Sequence, residues 1–76
     1  MEIKDFVLHF AEQFEDTPVE DFAPETRFRD LDEWSSLLAL SIIAMIDEEY
    51  DITLKGDDMR KANTIEELFN IVSEKA

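Results

Sequence analysis

Residues 34 to 52 read WSSLLALSIIAMIDEEYDI, and no other stretch restricts the fold as much. After two serines, residues 37 to 46 are apolar except for Ser41. Helix formers dominate the segment, Gly and Pro are missing from it, and the carboxylates Asp47, Glu48, Glu49 and Asp51 close it. Such a run predicts one helix that opens at the serines, with a serine as its cap. On a 3.6-residue repeat, Ala39, Ile42, Ile43, Ile46 and Tyr50 form a stripe that buries against a small bundle. A second line is left over: Leu37, Ser41, Ala44 and Glu48, with Leu38 and Met45 beside it. A helix this apolar around its circumference is either enclosed on several sides or turns a greasy strip toward a partner. Both readings stay open.

The remaining segments supply the elements such a helix needs to pack against. Ile3, Phe6, Val7, Phe10 and Phe14 recur at helical spacing, which predicts an amphipathic helix over residues 3 to 15. His9 lies off that stripe and is expected at the surface. Thr17-Pro18 should end the helix. The connection from there to Ser35 is long for a small domain, so Phe22, Phe28 and Leu31 are expected to pin it down, with a helical turn near Val19 to Phe22. Trp34 either plugs this loop onto the bundle or anchors a partner. After a turn over Thr53 to Gly56, a short helix over Asp57 to Ala62 turns Met59 and Ala62 inward. Thr64-Ile65-Glu66-Glu67 is a capping box. It opens a last helix burying Ile65, Leu68, Phe69 and Val72. The expected fold is all-α: a small four-helix bundle of three longer helices and one short one, in a single domain over residues 1–76.

Charge narrows the partners. Twenty acids against seven bases give a net charge of −13, which repels nucleic acid and anionic membranes and attracts basic patches on other proteins. The chain has no cysteine, no stretch of membrane-spanning length, and an acidic amino terminus where a signal peptide would be basic. A cytoplasmic, free-standing monomer is the expectation. Catalysis is not expected, because no Gly-x-Ser-x-Gly elbow surrounds the serines and the single histidine lies on another helix. The acidic clusters lack EF-hand spacing, so no metal site is expected.

Asp30-Leu31, then Trp34-Ser35-Ser36-Leu37, then Asp47-Glu48-Glu49-Tyr50-Asp51-Ile52, resembles the acyl and peptidyl carrier proteins. Phe28 and Leu31 match the loop before the motif, and Asn63-Thr64-Ile65 matches the start of the last helix. The resemblance implies that Ser36 carries 4′-phosphopantetheine, transferred from coenzyme A by a phosphopantetheinyl transferase, with an acyl or aminoacyl thioester at its far end. It also implies loading and transferring enzymes that read Trp34, Leu37, Leu38, Ser41, Ala44, Met45, Asp47 and Glu48. The acyl chain would lie beside Ile43, Ile46, Met59 and Ala62. One departure stands out: the family's aspartate before the modified serine is Ser35 here.

Two functions therefore compete. One is a carrier, and its docking helix, less acidic than in fatty-acid carriers, points to a specialised pathway. The other is an arm-less carrier fold that binds partners through the apolar second helix. A nucleic-acid mimic is disfavoured by that same apolar helix.

Overall fold

The computed structural model describes residues 2–76. Four helices run in order: α1 (Ile3–Ala11), α2 (Ser36–Tyr50), α3 (Gly56–Lys61) and α4 (Ile65–Lys75), with two single 3₁₀ turns (Val19–Asp21 and Phe28–Asp30) in the connection between α1 and α2. α1 packs on α2 and α4, and α3 packs on α4. The result is the small all-helical bundle expected. Among the described residues, no helix is long and apolar enough to cross a membrane.

The α1 stripe builds the core. Phe6 and Phe10 are fully buried, and Ala11 and Phe14 nearly so. Phe10 is the hub of an aromatic cluster. Its ring centroid lies 5.7 Å from Phe14, 6.2 Å from Phe22, 5.3 Å from Phe28 and 6.5 Å from Trp34. Phe22, Phe28 and Trp34 all come from the α1–α2 connection, so their burial against α1 converts a long loop into part of the core. Leu31 packs half-buried against the hydrophobic core.

Helix α1 ends earlier than Thr17-Pro18 suggests. Its last amides tighten into 3₁₀ bonds, from Gln13 to the Phe10 carbonyl and from Phe14 to the Ala11 carbonyl. The next three amides turn away to a single acceptor. Glu15, Asp16 and Thr17 donate their backbone N–H groups to the Glu33 carboxylate at 2.8, 3.1 and 3.0 Å, and the Thr17 hydroxyl donates at 2.9 Å. A side chain 16 to 18 positions downstream thus stops the helix.

These bonds, led by the one from the Glu15 amide, hold the Glu33 carboxyl below its ordinary pKa. A carboxylate with a depressed folded pKa adds stability that is fully present above its unfolded pKa and is lost as pH falls through the folded one. Glu33→Gln should therefore melt below wild type at neutral pH. That gap should shrink below about pH 5 as acid titrates Glu33. An equal gap at neutral pH and at pH about 3 would show that the carboxylate charge plays no part.

The loop also closes onto α4. The amides of Ile65 and Glu66 donate to the carbonyls of Thr26 (3.2 Å) and Pro24 (2.8 Å). The Thr64 hydroxyl accepts the Glu67 amide at 3.1 Å, and the Glu67 carboxylate accepts the Thr64 amide at 3.2 Å. The opening amides of α4 are thereby satisfied, half by the local capping box and half by the distant loop. At the end of α3, Arg29 reaches across from the loop and donates to the carbonyls of Ala62 (3.0 Å) and Met59.

α2 is rotated relative to the expected stripe. Ile42, Met45 and Ile46 are its buried residues, while Ala39, Ile43 and Tyr50 flank them half-buried. His9 is not a plain surface residue either. Packing of α1 on α2 brings its Nδ1 to 2.8 Å from the Tyr50 hydroxyl and its Nε2 to 4.0 Å from Glu49. Burial, followed by the charges of Asp5 and Glu49, raises the Tyr50 pKa. α2 ends at Asp51, whose φ of 56° is left-handed and whose amide returns to the Asp47 carbonyl. Among residues with a side chain, Asp and Asn tolerate that conformation best.

Candidate functional site

The mouth of α2 is built by a division of labour between two serines. Ser35 has extended backbone (φ −157°, ψ 169°), and its Oγ accepts the Leu38 amide at 3.3 Å, so it is the N-cap. Ser36 is the first residue inside the helix and is exposed. Relative to the carrier-protein pattern, Ser35 keeps the capping oxygen that an aspartate would supply and drops its charge. Capping therefore does not require Ser36. The hydroxyl of Ser36 stands where unpaired helix amides and the helix dipole favour an anionic substituent.

Beside Ser36 lies an open groove of about 560 Å³ between α2 and α3. Ala39, Leu40, Ile43 and Met59 give it an apolar wall, Trp34 and the two serines form its upper end, and Arg29 and Arg60 stand among them. An exposed primary hydroxyl next to an open, mixed apolar and cationic groove suits a phosphate-linked arm with an acyl end.

The residues singled out from sequence divide into three groups. Leu37, Ala44, Asp47 and Glu48 are exposed on α2, and Leu38 and Ser41 are half-buried beside them. Trp34 is half-buried, its ring stacked on those of Phe10 and Phe14 and tilted against Phe28, so it plugs the loop while still edging the groove. Met45 is a correction: at 5% exposure it belongs to the core and cannot face a partner. The reason is the rotation of α2, which turns Met45 inward together with Ile42 and Ile46.

The expected acyl-chain residues divide between the groove and the bundle interior. Ile43 and Met59 line the groove, whereas Ile46 and Ala62 are fully buried behind it. Sequence reading missed Leu40, which is 63% exposed and forms both groove wall and outer face. Its spacing of three from Leu37, itself 73% exposed, was the available sign. Arg29 and Arg60 were missed too, since nothing local joins a loop arginine to one on α3.

Searches among curated proteins and among solved structures return no match to this chain. The family described as phosphopantetheine attachment site matches residues 5–72, nearly the whole chain. That family is a carrier domain rather than a catalytic one. By this match the chain belongs to the phosphopantetheine-attachment family, whose members bind 4′-phosphopantetheine covalently.

Proposed function

We propose that this protein is an acyl or aminoacyl carrier whose arm is attached at Ser36. The observation that carries the reading is the exposed Ser36 hydroxyl at the first turn of α2, beside the α2–α3 groove and with capping left to Ser35. In the loading step, Ser36 Oγ forms a bond to the pyrophosphate phosphorus that bears pantetheine in coenzyme A. The bond from that phosphorus to the bridging oxygen breaks, 3′,5′-ADP departs, and the serine proton passes to a base on the transferase. When bound, the arm supplies a terminal thiol for thioester chemistry. This chain contributes the hydroxyl, its exposure and its fixed position.

The same exposed line supplies the docking face: Leu37, Leu40, Ala44, Asp47 and Glu48, flanked by Ser41. Two bare leucines among few carboxylates fit partners whose patch is more apolar and less basic than that of fatty-acid synthase enzymes, as in a specialised acyl or peptide pathway. Binding to such a partner should weaken only modestly between low and physiological salt. Strong, steeply salt-dependent binding to a basic fatty-acid synthase enzyme would contradict it.

The reading is tested by incubation with coenzyme A and a broad-specificity phosphopantetheinyl transferase, followed by intact-mass measurement. One added phosphopantetheinyl group is the expected result. An unchanged mass would favour the arm-less interaction protein.

A further inference from the structure

Two grooves of unlike charge meet at Ser35, at the mouth of α2. On the α2–α3 side the charged residues are Arg29 and Arg60. On the α1 side a smaller groove of about 290 Å³ carries Glu15 and Glu33 and reaches only Ser35. In a chain of net charge −13 with seven bases, Ser36 lines only the groove that holds the two guanidiniums, while Ser35 is shared with the groove that holds the two carboxylates.

The two arginines are not equivalent. Arg29 spends its Nε and one terminal nitrogen on the Ala62 and Met59 carbonyls, so it is a structural clasp. Arg60 is exposed and gives only one terminal nitrogen, Nη2, to Asp57 one turn before it. Its Nη1 folds back over Gly56, 3.8 Å from where a Cβ would stand there. That is an ordinary van der Waals distance, so the guanidinium lies along the groove wall without crowding the Gly56 backbone. A guanidinium has five N–H donors in a planar fork that suits phosphate oxygens, so Asp57 leaves most of them available.

We propose that Arg60 pairs with the phosphodiester formed on Ser36 and so lays the arm into the α2–α3 groove rather than the acidic α1 side. This rests on the attachment at Ser36 proposed above. The pair is exposed, so salt should weaken it.

The test compares wild type, Arg60→Gln and Arg27→Gln, each loaded from coenzyme A with loading verified by intact mass. Arg27 is the charge control: it makes the same exposed i,i+3 pair, with Asp30, and is not among the residues lining the groove. The readout is the ³¹P chemical shift of the phosphodiester at low and high salt, with the urea-unfolded loaded protein as reference. At low salt, wild type and Arg27→Gln should share one folded-state shift, and Arg60→Gln should move toward the unfolded reference. High salt should bring all three together. Identical shifts in the three loaded proteins, or equal displacement in both variants, would overturn the role of Arg60 alone. A wild type that gains no mass would overturn the carrier reading and this inference with it.

Discussion

Ser36→Ala is expected to abolish phosphopantetheinylation completely, with no added mass after prolonged incubation with coenzyme A and transferase. Ser35→Ala is expected to keep it. The contrast follows from the work each side chain does: Ser36 is exposed at the first helical position, while Ser35 Oγ is committed to the Leu38 amide. Loss of that cap should cost Ser35→Ala about 1 kcal/mol of stability, visible as a lower melting temperature with modification intact. Ser36→Ala should melt within a few tenths of a kcal/mol of wild type, as exposed substitutions do, so its failure to load cannot be blamed on unfolding. If the added mass survives in Ser36→Ala and disappears in Ser35→Ala, the two assignments are reversed. Ser35→Asp would restore a carboxylate at this position while retaining an N-cap oxygen. A faster loading rate with that variant would mean that the transferase reads the charge.

The second large effect is on the fold. Phe10→Ala should remove about 3–5 kcal/mol. A chain of this length has roughly 4–11 kcal/mol to lose, at about 0.05–0.15 kcal/mol per residue. The variant should therefore lose about a quarter or more of its stability, with a urea midpoint well below that of wild type. Phe10 ranks first because it meets the ring of Phe14, just past the end of α1, and rings from three further points of the long loop. Truncating it leaves a cavity and frees the loop together. Leu37→Ala, on the exposed face of α2, should change stability by less than about 0.5 kcal/mol. A Phe10→Ala variant that keeps more than about four-fifths of wild-type stability would place the organising centre elsewhere.

How much of this was legible in the sequence depended on the range of the interactions. The capping box of Thr64 and Glu67 was readable because both partners lie within one turn, and the structure shows both bonds. The Phe stripe of α1 and the loop pins Phe22 and Phe28 were readable because isolated aromatics in a polar stretch have few other uses. The end of α1 was not readable. Its stopping device is a carboxylate from the far end of the loop, and no local pattern announces that Glu33 will gather three amides.

The orientation of α2 failed for a different reason. A helix apolar on nearly every face has no unique stripe, so periodicity alone left its rotation open, and its neighbours chose Met45 over Ala39 for the interior. The same rotation turned Met45 inward, and Leu40 is left exposed, while Ile46 is buried as the stripe implied. At the site itself, the position of the serines was a local matter and the groove beside them was not. Arg29 and Arg60 meet there only because loop and α3 converge in space.

The bonds from Ile65 and Glu66 to Thr26 and Pro24 join residues roughly forty positions apart, although they sit at the start of the last helix. That wiring ties the first turn of α4 to the loop packed on α1. The connection thereby serves as a splint between the first helix and the last. Truncating the loop's Phe22 or Phe28 is therefore expected to loosen the Ile65 and Glu66 amides at the start of the last helix.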